Sequence, residues 1–358
     1  MFLPVMNVKE ILSPAASIIK LFIIIILFFT NSKAEENNIK YYSDDKGILS
    51  LMYHRFNENK YPSTNIKMSV FKEQIKIIKN LNYKFYNPQD LKNDFYTDKK
   101  EKKILITIDD AFSSFYNFAW PYLKKEKIPF ILFVSTETIG KNGYMTWSQI
   151  KEIEEESFVY IGNHSHTHDY LVDFKDKDFI DDIDTASSIF IKNLGYNPIF
   201  FSYPFGEYRA AIKEYIADNF KFAFGQHSGV IDHNKDPHEL PRFPINEKYG
   251  DLKRFKFLIN LQPLQFKNLV PEDKYLTSVN NPPKFSVEFF KEQKNLNHIN
   301  CFSDEGNRWE KSNIVFNKNI LNIKFREKFL FRRGRVNCSL NDNGIWRWFG
   351  VQFSVEQN

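Results

Sequence analysis

Between about residues 48 and 246 the chain repeats one pattern: a short, mostly apolar run followed by a longer segment with helical periodicity. The runs are ILSLMYH (48–54), KILITID (103–109), PFILFVS (129–135), SFVYIGN (157–163), IFFSY (199–203) and FKFAFG (220–225). Helical segments are read at 69–81, 113–126, 146–156, 181–195 and 206–219. A strand apolar at nearly every position must be covered on both faces, and helices crossing between such strands supply that cover. The pattern therefore predicts an α/β fold with a parallel sheet, and six repeats make a (β/α) barrel the leading closure. In such a barrel the chemistry sits at the C-terminal ends of the strands.

Two of those ends carry unusual residues. NHSHTHDYL (163–171) packs His164, His166 and His168 into five positions of a chain with 8 histidines. His164 and His168 are four apart. If the loop enters a helical turn there, both imidazoles leave one face and can share a metal ion. Two histidines do not close a site, and the usual third ligand is a carboxylate. The best source is the strand ending ILITIDD, where Asp109 and Asp110 follow an apolar run. Neighbours on an extended segment point to opposite sides, so these two carboxylates should have different roles. Taken singly, a post-strand Asp pair is usually a turn or helix cap, and a His-x-x-x-His is often a surface pair. Their joint placement after strands of one sheet favours a metal site.

The flanks read differently. LFIIIILFF (21–29), preceded by Lys20 and followed by Ser32-Lys33-Ala34, has the length and ends of a signal peptide covering residues 1–34. Export follows, with an uncleaved N-terminal anchor, and membrane contact through it, as the alternative. The barrel is assigned to 35–265. From 266 to 358 alternating strands and polar turns, as in NIVFNKNILNIKF and WRWFGVQF, predict a small all-β, sandwich-like domain. Its two cysteines, Cys301 and Cys338, are the only ones in the chain, and in an exported protein they should form a disulfide. The net charge of +5 is small and interspersed, which argues against a nucleic-acid partner.

TIDD (107–110) and HSHTH (164–168) resemble the first two motifs of the polysaccharide deacetylases, the NodB-homology or carbohydrate esterase 4 family. That family's pattern is TFDD followed by H-[ST]-x-x-H. FSYPFGEY (201–208) is similar to its third motif, a Pro-aromatic-Gly loop lining the groove. The resemblance runs over roughly residues 48–246 and implies a distorted barrel of about seven strands. It further implies that Asp110, His164 and His168 hold a divalent metal, zinc by preference, and that Asp109 is the general base. Tyr203, Pro204, Phe205 and Gly206 would bind substrate, with the Phe205 N–H at the oxyanion. His166 would be structural.

Two departures from the family pattern stand out. The arginine expected before the third-motif proline is Ser202 here, and Arg242 of LPRFP is the candidate replacement, with Arg209 nearer in sequence. The late Leu-x-His motif bearing the general acid has no clear counterpart. Met52-x-His54, at the end of the first strand, would supply it if the barrel is circularly permuted, with His227 of GQHSG as the alternative. His233 and His238 read as loop residues. The implied activity is metal-dependent removal of N-acetyl groups from N-acetylglucosamine-type sugars in an extracytoplasmic polymer. The rivals are hydrolysis of another acyl group, such as an acetylxylan ester or a formamido sugar, and a non-catalytic carbohydrate-binding role.

Overall fold

The computed structural model describes residue 41 and residues 46–91 and 101–357. The expected leader at 1–34 lies outside the described residues. Eight parallel strands form the first sheet: β1 (Ile48–Tyr53), β2 (Lys84–Phe85), β3 (Lys103–Ile108), β4 (Phe130–Val134), β5 (Val159–Asn163), β6 (Phe200–Ser202), β7 (Phe222–Phe224) and β8 (Phe243–Pro244). Their order is β8-β1-β3-β4-β5-β6-β7, with β2 also paired to β3. All six apolar runs form strands, and β1 and β4 are buried along their whole length. The segment between β7 and β8 carries the sheet round: Leu240 bonds to both Ala223 and Gly225, and Ile231 exchanges two hydrogen bonds with Ile48. This is the barrel that the alternation predicts, distorted as the resemblance implies.

The helices lie where the periodicity places them: α1 (Met68–Asn80), α2 (Trp120–Glu126), α3 (Trp147–Glu154), α4 (Asp176–Leu194) and α5 (Ala210–Asn219). Each buries one stripe, as α1 does with Phe71, Ile75 and Ile78. A π-helical turn, Phe115–Ala119, leads into α2. The capping box of Thr146 and Gln149 starts α3, and Gly195 at φ 86° ends α4. Trp147 packs edge-on against Phe190 and belongs to the barrel core.

A sixth helix, α6 (Leu252–Leu258), was not anticipated. It is two turns long, too short for periodicity to reveal, though Asp251 caps it by accepting from the Arg254 N–H. The strands β2 and β8 were missed for the same reason, being two residues each.

Apart from a short parallel pairing of Arg55–Phe56 with Asn65–Ile66, the remaining strands form two sheets. One comprises β9 (Gln262–Pro263), β11 (Tyr275–Leu276), β13 (Ile299–Ser303), β14 (Glu310–Lys311), β17 (Arg333–Asp342) and β18 (Ile345–Val355). The other comprises β10 (Phe266–Val270), β12 (Phe285–Phe289), β15 (Asn313–Asn317) and β16 (Ile320–Lys324). Burial alternates along β12 and β16, so each sheet turns one face inward. Phe285 meets Phe353 and Phe289 meets Phe349 across the gap, giving one shared core. Cys301 and Cys338 are register partners on β13 and β17 and are bonded to each other.

Candidate metal centre

The site is built on register. Tyr53 pairs with Ile108 across β1 and β3, so the next residues, His54 and Asp109, emerge side by side at the C-terminal edge of the sheet. The Asp109 N–H donates to the Tyr53 carbonyl at 2.9 Å, and His54 Nε2 stands 4.0 Å from Asp109 Oδ2. Here β1 comes first in the chain yet lies next to the TIDD strand, as a permuted barrel requires. Beyond Asp109 the backbone turns through two left-handed residues, Asp110 at φ 74° and Ala111 at φ 52°.

The histidine loop follows β5. No helical turn forms there, contrary to the expectation from the four-residue spacing. Ser165 and His168 adopt φ of 69° and 58°, and side chains of the loop close it instead. The Ser165 N–H donates to Asn163 Oδ1 at 2.8 Å and the His168 N–H to Ser165 Oγ at 3.0 Å. Asp182, buried on α4, clamps the outer bend by accepting from the His166 and Thr167 N–H groups at 2.8 and 3.0 Å. Left-handed non-glycine residues are strained, and their gathering around one point makes this the candidate functional site.

Asp110, His164 and His168 each bring one donor atom to this point, and the three atoms lie within 4.8 Å of one another. His168 Nε2 is 3.2 Å and His164 Nε2 is 3.6 Å from Asp110 Oδ1. Ligands on a tetrahedral zinc, at about 2.0–2.1 Å from the ion, sit about 3.3 Å apart. Asp110 Oδ1 and His164 Nε2 are buried without a hydrogen-bond partner, a costly state that a cation would relieve. His164 Nδ1 lies 2.6 Å from the Ser202 carbonyl. A carbonyl only accepts, so the proton is on Nδ1 and the lone pair on Nε2 faces the site. Burial also holds the His164 imidazole down to about 4, which keeps it neutral. The donor set therefore fits a divalent cation such as zinc. His166 turns away, with Nδ1 2.8 Å from Thr136 Oγ1.

Beneath these ligands lies a buried ion pair. Arg242 Nη1 and Nη2 donate to Asp109 Oδ1 and Oδ2 at 2.7 and 2.9 Å. Nη2 also donates to Ser202 Oγ at 2.7 Å, Nη1 to Thr107 Oγ1 at 3.2 Å and Nε to the Gly225 carbonyl at 2.9 Å. The guanidinium thus reaches Asp109 from the β7–β8 segment, and Ser202 accepts from it where the family pattern has an arginine. Burial alone would push the Asp109 carboxyl up, but the charges of Arg242, His164 and His54 hold it down to about 2. Arg209, the other candidate, is engaged elsewhere, donating to Asp176 Oδ1 and the Phe174 carbonyl.

His227 lines a separate pocket with Lys235, Glu239 and Lys274. His238 bonds through Nε2 to the Phe220 carbonyl, and His233 is buried. Of the four residues expected to bind substrate, Tyr203 and Pro204 are buried, and the Tyr203 hydroxyl donates to the His238 carbonyl. Tyr203 is thus a support, and its ring offers no stacking face. Gly206 is also buried and left-handed, with φ 70°. Phe205, half-buried at φ 58°, packs edge-on against His168 at 4.8 Å.

The family profile for polysaccharide deacetylases matches residues 96–221, which hold the TIDD, HSHTH and FSYPFGEY segments. Over that stretch the chain is similar to the polysaccharide deacetylases. A Bacillus subtilis (strain 168) protein named for this family, YxkH, is 31% identical over 123 residues, 34% of this chain and 42% of that protein. The Staphylococcus aureus poly-beta-1,6-N-acetyl-D-glucosamine N-deacetylase is 24% identical over 238 residues, 57% of this chain and 80% of that enzyme. Among solved structures, IcaB from Ammonifex degensii shares the fold with a TM-score of 0.55 at 24% identity, over 60% of this chain and 98% of that one. The Streptococcus pyogenes deacetylase PplD, in complex with acetate, gives 0.54 at 22% identity over the same shares.

In this barrel the residue that sequence reasoning missed is Asp182. Its signal was available: it is an acid on the apolar stripe of α4, between Phe179 and Ile183. Such a residue is retained only when it has partners.

Proposed function

We propose that the chain removes N-acetyl groups from N-acetylglucosamine-type sugars of an extracytoplasmic polymer. The observation that carries this reading is the convergence of Asp110, His164 and His168 beside a buried, charged Asp109. A carbohydrate-binding relic would have no need of that carboxylate. The expected leader supports export, and the curated poly-N-acetylglucosamine deacetylase supports the substrate class.

Asp110 Oδ1, His164 Nε2 and His168 Nε2 would hold a divalent ion, zinc by preference. When bound, the ion supplies Lewis acidity, polarising an acyl carbonyl and acidifying a water. Asp109 stays ionised and accepts the proton that the attacking water loses, while Arg242 fixes the plane of its carboxylate. His54, 15% exposed and on the open side of Asp109, gives a proton to the departing sugar amine. The Phe205 N–H donates to the oxygen that becomes negative. His168, Asp110 and His54 reach the surface, whereas Asp109 and His164 form the floor, so substrate approaches from one side.

The test is acetate release by the purified chain from N-acetylglucosamine oligomers, metal-stripped and with zinc restored, beside controls that read acetate from acetylxylan and formate from a formamido sugar. Zinc-dependent acetate release that disappears in Asp109→Asn supports the reading. Turnover of a control alone would replace the acyl substrate, and zinc binding without turnover of any would favour a binding role.

A further inference from the structure

IcaB is matched over 98% of its length by 60% of this chain, so this chain adds a large part to the shared barrel. That part touches the site. Gln352 on β18, buried, donates from Nε2 to two consecutive carbonyls of the third-motif loop, Phe205 at 3.0 Å and Gly206 at 3.1 Å. These are the residues held at φ 58° and 70°. On the far side the loop is already tight, since a Cβ on Gly206 would come within 2.5 Å of the Gln226 backbone nitrogen.

Arg332, just before β17, makes a second link. Its guanidinium donates to Asp173 Oδ2 at 2.6 Å and Glu207 Oε2 at 3.3 Å, and lies 3.9 Å from the Tyr170 ring centroid. Tyr170 stacks on Phe205 at 4.2 Å, and Phe205 meets His168 at 4.8 Å. A continuous series of contacts thus runs from the β-domain through two aromatic rings to a proposed metal ligand.

We propose that the β-domain is part of the catalytic unit, with Gln352 and Arg332 as positioning residues for the Phe205 loop and the Tyr170–Phe205 wall beside the metal. This rests on the functional reading above. A left-handed non-glycine residue holds its conformation only when its surroundings over-determine it. Gln352 supplies that determination at Phe205, whose N–H is the proposed oxyanion donor. Arg332 fixes the ring wall against which the sugar next to the acyl group would lie, through two carboxylates and a cation–π contact.

The test uses the full chain with Gln352→Met, which keeps the length and removes both donors, with Arg332→Ala and with Arg332→Lys. Gln352→Met is expected to speed amide exchange across residues 203–208 by about tenfold. It should also lower kcat by about tenfold or more at unchanged zinc affinity. Arg332→Ala should raise KM more than it lowers kcat, and Arg332→Lys should recover part of that loss. Folded variants whose exchange and kinetic constants stay at wild-type values would overturn the proposal. Exchange reads positioning without turnover, so an inactive wild type would sink the functional reading and still leave this inference decided. If Gln352→Met does not fold, exchange at residues 170–173 and 203–208 in Arg332→Ala decides it, with unchanged protection as the overturning result.

Discussion

The guanidinium of Arg242 closes on both oxygens of Asp109, at 2.7 and 2.9 Å, and neither side chain is exposed. The two residues are 133 apart in sequence, one at the end of β3 and the other before β8. Arg242→Ala would leave a buried carboxylate without its partner, a loss that costs about 3–5 kcal/mol. Arg242→Lys keeps the charge but cannot match both oxygens at once. Urea unfolding should therefore place Arg242→Lys between wild type and Arg242→Ala. Its kcat should fall by about tenfold or more with zinc affinity held, because a general base out of position costs about that much. An Arg242→Lys enzyme with wild-type kcat would remove the orienting role.

The three clustered histidines make a sharper comparison. His164 and His168 direct Nε2 at Asp110, whereas His166 bonds to Thr136. Outer-shell changes cost about 10–100-fold in metal affinity, and losing a ligand costs more. Zinc titration should thus show a loss beyond about a hundredfold for His168→Ala and at most about tenfold for His166→Ala. Equal losses would mean that the loop acts as a unit and that ligand identity has been misread.

Acid should dissolve the Asp109–Arg242 pair in a defined window. The folded carboxyl, held at about 2, lies below its ordinary value of 3.8. A depressed carboxyl pKa means that the ionised form favours the native state. Its contribution is complete above about pH 4, fades as the pH falls toward 2, and is absent below. At about 1.4 kcal/mol per pKa unit the contribution is roughly 2 kcal/mol. In metal-free protein, the stability gap between wild type and Asp109→Asn should narrow by that amount between pH 5 and pH 2. A gap constant over that range would place the source of stability elsewhere.

How far the molecule was legible in its sequence follows from range. β3 and β4 announce themselves because nearly all of their residues are apolar and buried, and the helices because a single stripe faces that sheet. The two-residue strands β2 and β8 leave no period to detect. Asp109, Asp110 and the histidines were visible as residue types at strand ends. The loop joining them was not, since Ser165 and His168 take left-handed backbone that usually belongs to glycine. Arg242 was found by asking what replaces a missing charge at Ser202. The links from Gln352 and Arg332 span 125 to 159 residues and follow no local pattern, so only the folded chain reveals them.

The account turns most directly on whether one ion sits among the three ligands. Anomalous diffraction at the zinc edge, from crystals grown with zinc, measures this. A single strong peak about 2.0–2.2 Å from Asp110 Oδ1, His164 Nε2 and His168 Nε2, with Asp109 still held by Arg242, is the predicted result. No peak there, or one ligated by Asp109 in place of Asp110, would contradict it.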